Sequence, residues 1–138
     1  MDKVFSPRDV DTLIPKLESI FQHMDFCQKR VHALADQRPP VNAHPSVSEV
    51  ADSARIRSQM EFLLQAIQDH IQLVSQLGGV VKDVGAGLVD FPGRVQGEDV
   101  WLCWKRGETK IHFWHTLDSG FSQRQALKRT VDRPSTTH

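Results

Sequence analysis

The sequence of 138 residues has no tyrosine, two cysteines and no excess of charge of either sign, with 17 Lys and Arg against 17 Asp and Glu. Each shortage narrows the field. Balanced charge removes the electrostatic attraction that supplies most affinity for a phosphate backbone, so nucleic acid is not an expected partner. Cys27 and Cys103 are too few for a disulfide framework and read as reduced thiols in packed positions. No apolar run approaches the ~20 residues of a membrane span. Met1 to Phe5 is not a basic-then-apolar leader. The expectation is a cytoplasmic protein without membrane contact. The sequence contains no GxSxG or phosphate-loop motif, and none of the CxxC, HxxxH or HExxH spacings of metal sites.

What is present is ordinary globular composition, 39% hydrophobic and 25% charged, enough for one core over residues 1–128. Ser6-Pro7-Arg8-Asp9 opens a helix, with serine to cap, proline suited to the first helical position and aspartate on the positive end of the dipole. Val10, Leu13, Leu17, Ile20, Met24, Cys27, Val31 and Leu34 alternate at spacings of three and four, the repeat that keeps one seam toward a partner helix. Pro15 interrupts this helix of residues 6–36 and predicts a kink or restart near Thr12. Three prolines between Gln37 and Ser46 make the connection. A second helix follows over 46–77, with Ser46 and Glu49 spaced as a capping box and Gly78-Gly79 as its stop.

From Gly85 the pattern changes to valine, isoleucine and aromatic residues, and three strands are expected at 88–91, 100–105 and 110–115. The fold class is therefore α+β, a long antiparallel two-helix hairpin followed by a three-stranded antiparallel β-meander over 87–115. Residues 116–128 form a loop and short C-terminal segment, and 129–138 an expected disordered tail. A turn at 106–109 sets Cys103 opposite His112 and Trp101 opposite Trp114, while a loop that begins with Pro92-Gly93 and closes over 93–98 sets Asp90 opposite Trp101. One face then carries Val89, Phe91, Val100, Leu102, Trp104, Ile111, Phe113 and His115, and should pack on the helices. The other mixes Leu88, Asp90, Trp101, Cys103, Lys105, Lys110, His112 and Trp114.

Two chemistries are written into that mixed face and the segment after it. Asp90, Cys103, His112 and His115 form a donor set suited to zinc or iron. Against it stands the commoner role of such residues, hydrogen bonding to neighbours without a metal. Asp90, Trp101, Trp114, His115, Asp118 and Arg124 could instead make a polar-aromatic ligand site. There Arg124 would offer its fork to an anion and Asp118 would hold His115 in one tautomer. The alternative is an ordinary turn with an internal Arg–Asp pair. A third reading rests on the heptad seam, which can pair within the chain or form a homodimer between chains. The function classes left open are a small-ligand or interaction module, a dimeric structural protein and a metal-dependent protein.

Phe5-Ser6-Pro7, Leu13-Ile14-Pro15, Gly87-Leu88-Val89-Asp90-Phe91-Pro92, Val100-Trp101-Leu102-Cys103-Trp104 with Gly107-Glu108, and Trp114-His115 with Asp118, Gly120, Phe121 and Arg124 together resemble a bacterial family known as domain of unknown function 2203. The resemblance spans nearly the whole chain except the tail. It implies a small bacterial cytoplasmic protein and no assigned activity. It directs attention to Asp90, Cys103, Glu108, His115, Asp118, Gly120 and Arg124.

Overall fold

A computed structural model describes residues 3–129. The order is α1 (Pro7–Asp11), α2 (Ile14–Asp36), α3 (Val47–Leu77), β1 (Val80–Asp83), β2 (Leu88–Val95), β3 (Glu98–Lys105), β4 (Phe113–Thr116), a short 3₁₀ turn (Phe121–Gln123) and β5 (Gln125–Ala126). The class is α+β, with helices followed by an antiparallel sheet of five strands in the order β1-β2-β3-β4-β5. The expected three-stranded meander gains a strand at each edge.

The first helix is two helices. Pro15 cannot donate into the ladder, so the chain closes α1 at Thr12 and restarts with Pro15 in the first turn of α2. Both anticipated caps form. Ser6 and Asp9, and Ser46 and Glu49, bond reciprocally as capping boxes. Gly78 ends α3 in the left-handed conformation, φ 103°. The seam from Val10 through Leu17, Ile20 and Met24 to Cys27 is buried against α3 and the sheet. It is thereby satisfied within the chain.

The strands correct the expected register. Pro92 and Gly93 lie inside β2 rather than in a loop, and the turn is the two-residue Gln96-Gly97, both at positive φ (53° and 82°). Pro92 is tolerated because its carbonyl accepts from Phe5 N–H at 2.7 Å, so its nitrogen also points away from β3 and removes no β2–β3 bond. Asp90 consequently faces Cys103, and Pro92 faces Trp101. This shift of two residues leaves the faces unchanged.

The next shift is of one residue and exchanges them. Cys103 faces Phe113, Leu102 faces Trp114 and Trp101 faces His115. The segment before β4 leaves the ladder because Ile111 N–H donates to Asp11 Oδ1 at 2.8 Å and Leu127 N–H donates to His112 O at 2.6 Å. Ile111 thus enters the core from a loop. Trp114 moves to the inner, helix-facing side with Phe91, Leu102 and Trp104, whose ring packs on Phe21 at 5.7 Å. Phe113 and His115 move to the outer side. Arg129 is also fixed, donating to Asp11 Oδ2 at 2.8 Å and to Ile111 O at 3.0 Å. The rest of the expected tail, 130–138, lies outside the described residues. No helix among the described residues is long and apolar enough to cross a membrane.

Candidate metal centre

The outer face of a sheet ordinarily meets water, yet Asp90 and His115 are each 2% exposed there, and Cys103 is equally buried. The strands bring them together in steps. Asp90 on β2 lies directly opposite Cys103 on β3. His115 lies on β4 opposite Trp101, diagonal to Cys103. Its ring reaches across β3 so that Nε2 stands 2.9 Å from Asp90 Oδ2. One donor atom from each of Asp90, Cys103 and His115 falls within 4.8 Å of the other two.

Proton positions follow from the partners. His115 Nδ1 lies 3.0 Å from Thr116 O. A carbonyl oxygen only accepts, so Nδ1 carries a proton and Nε2 is the nitrogen turned to Asp90. One further proton then occupies the Nε2–Oδ2 line, held by either partner. Burial raises the Asp90 carboxyl above its ordinary value, an effect the adjacent imidazole opposes. Burial, together with the Asp90 charge, pushes the Cys103 thiol up to about 11. Cys103 is therefore a thiol at neutral pH, not an activated nucleophile.

Arg124 closes one side. Its Nη1 lies 4.0 Å from Cys103 Sγ and 3.1 Å from Glu108 Oε2. Its guanidinium is held between two rings, with Cζ 3.9 Å from the centroid of Phe113 and 4.3 Å from that of Phe121. Glu108 is set by the turn after β3, where its carboxylate accepts from Lys105 N–H at 2.8 Å and its carbonyl from Trp104 Nε1 at 2.9 Å. On the other side Lys82 of β1 lies 5.3 Å above Trp101.

Of the residues singled out from the sequence, Asp90, Trp101, Cys103, His115 and Arg124 share this face. Glu108 joins them through Arg124, whereas His112, Trp114 and Asp118 do not. His112 is exposed and precedes β4, so it is not a neighbour of Cys103. Trp114 is on the opposite face from Trp101, and the two do not form one platform. Asp118 does not orient His115. It is exposed and accepts from Thr116 Oγ1 at 2.7 Å, which lowers its pKa, while the tautomer is set by Thr116 O. Sequence reasoning missed Phe113 and Phe121 as the clamp on Arg124. Phe113 was assigned to the inner face, and only the true register turns it outward.

The fold and the site thus define an α+β protein with helices on one face of a five-stranded sheet and a buried carboxylate–thiol–imidazole cluster on the other. The chain belongs to the uncharacterized conserved protein family DUF2203, whose family model matches residues 3–127. No curated protein matches it, and no solved structure does.

Proposed function

We propose that this protein is a transition-metal-binding module, zinc being the fitting ion, with Asp90 Oδ2, Cys103 Sγ and His115 Nε2 as ligands. The observation that carries the reading is the convergence of these three buried donors within 4.8 Å. Around a tetrahedral zinc such atoms lie about 3.3–3.5 Å apart. The Asp90–His115 pair, at 2.9 Å, would open by about 0.4 Å as an ion took the place of the shared proton. The outer ring nitrogen supports the same reading. His115 donates Nδ1–H to a backbone carbonyl, the second contact that fixes a ligating imidazole. A carboxylate and a histidine are costly to bury, and a cation would replace the protons that now hold them together. Three protein ligands leave a position for water or a ligand atom, and Arg124 sets a fixed positive charge beside Cys103.

The test is metal content of the untagged protein by plasma mass spectrometry, after equilibration with zinc and gel filtration. About one zinc per chain is expected, retained in His112→Ala and lost in His115→Ala. Equal loss in both variants, or none in either, overturns the assignment.

A second reading, assembly through the helices, is favoured by a different observation. Phe26 of α2 and Phe62 of α3 are 66% and 74% exposed. They flank a groove of about 360 Å³ with Leu34 and Leu63. The seam itself is not available for assembly, because Leu17 and Met24 are fully buried within the chain.

A further inference from the structure

On the face of the sheet opposite the cluster, between the start of α1, the β2–β3 turn and residues 125–129, there is a cavity of about 690 Å³. That is the size of a small-molecule site. Val95, Val100, Leu127 and the half-buried Trp114 supply its apolar surface. Its charged surface is one-sided, for Arg8, Arg94, Lys128 and Arg129 line it against a single carboxylate, Glu98.

From this we infer a second binding site, specific for a small organic anion with a flat apolar body, the acid group on Arg94 and Lys128 and the body against Trp114. Three features support it. First, the walls are pinned before any ligand arrives. Arg129 is tied to Asp11 at 2.8 Å, Arg94 to Asp99 at 3.1 Å, and Leu127 to His112 O. A guanidinium held by one carboxylate keeps further N–H donors for a second anion. Second, Lys128 is exposed and has no partner among the described residues. Third, the Trp114 indole N–H has no hydrogen-bond partner among the described residues, whereas that of Trp104 is bonded to Glu108 O. The N–H is not sealed from solvent, so a ligand acceptor could take the place of water on it. Trp114 and His115 are neighbours on β4 and point to opposite faces, so this site is independent of the proposed metal centre.

The probe pair is naphthalene-2-carboxylate and its neutral amide, which share a ring system and differ in charge. They are titrated into the full-length ¹⁵N-labelled protein while the three tryptophan indole N–H signals are followed, that of Trp114 being assigned by its loss in Trp114→Phe. The carboxylate should shift the Trp114 signal saturably, at least tenfold more tightly than the amide. Arg94→Ala combined with Lys128→Ala should abolish that preference while the Trp104 signal keeps its position. Acid and amide binding equally, a preference that survives the double variant, or no movement of the Trp114 signal would each overturn the inference.

Discussion

Replacing His115 by alanine isolates what the buried pair does. In the parent protein Asp90 has one strong partner, His115 Nε2 at 2.9 Å, and both side chains are almost fully buried. Removing one member of such a pair costs about 3–5 kcal/mol, because the remaining charge is buried without compensation. The carboxylate has an escape, which is to bind a proton. Burial already raises its pKa above 3.8, and His115 is the first of the groups opposing that rise. Without the imidazole the folded-state value moves further upward. A carboxyl raised on folding binds its proton more tightly in the folded state. Its contribution is therefore most favourable below about 3.8 and is lost as pH rises through the folded value. The destabilisation by His115→Ala should thus be smallest near pH 4 and grow to ~3 kcal/mol by pH 7.5, about 10 °C in Tm for a chain of this length. Urea denaturation in the presence of a chelator measures it without metal linkage. Asp90→Asn in the same background should recover part of the loss, since it removes the stranded charge. A penalty that is flat from pH 5 to 8, or a double variant additive to within ~0.5 kcal/mol, would refute the account of the pair as one proton-sharing unit.

Cys103, with its thiol raised to about 11, should resist iodoacetamide at pH 7.5 in a Cys27→Ala protein, its thiolate fraction lying ~100-fold below that of a free cysteine; alkylation at the free-thiol rate would contradict the burial argument. Gly93→Ala should cost ~1–3 kcal/mol by denaturant titration, because its new Cβ would stand 2.5 Å from Leu102 Cγ, and Leu102→Val should return part of that; an unchanged midpoint would mean the strand gives way without strain. Phe26→Glu with Phe62→Glu should dissociate an assembled protein in the analytical ultracentrifuge while altering monomer stability by no more than ~0.5 kcal/mol per site. A parent protein that already sediments as a monomer removes the assembly reading.

The helices were legible because their signals are local. Ser6 with Asp9, Ser46 with Glu49, and Pro15 act within one turn of where they stand, and each does in the structure what its position implies. The edge strands were not. Val80–Asp83 is short and follows directly on the glycine stop of α3, and Gln125–Ala126 has only two residues and no alternation to read. Pro92 looked like a strand breaker because its tolerance depends on Phe5, which reaches it from the opposite end of the sequence.

The decisive gap was a single residue of register, and its cause is also long-range. A four-residue turn at 106–109 would put Lys110 opposite Lys105 and His112 opposite Cys103. Instead Asp11, one hundred residues earlier in the chain, takes the Ile111 N–H and holds Ile111 in the core. The chain is then committed to a longer connection, and β4, beginning at Phe113 rather than Lys110, pairs with β3 one residue out of the register the turn alone would set. Because side chains alternate, that step exchanges every residue of β4 between faces. It removes His112 from the cluster and supplies His115. It moves Trp114 inward to line the cavity and turns Phe113 outward, where Arg124 and Phe121 lie against it and screen Cys103. Both proposed sites therefore depend on Asp11, whose Oδ1 holds Ile111 and whose Oδ2 also holds Arg129 of the cavity wall. Asp11→Asn keeps an acceptor for Ile111 and should preserve both, whereas Asp11→Ala removes it. In that variant the metal stoichiometry and the Trp114 indole signal should change together, and a metal stoichiometry left at the parent value would refute the dependence on register.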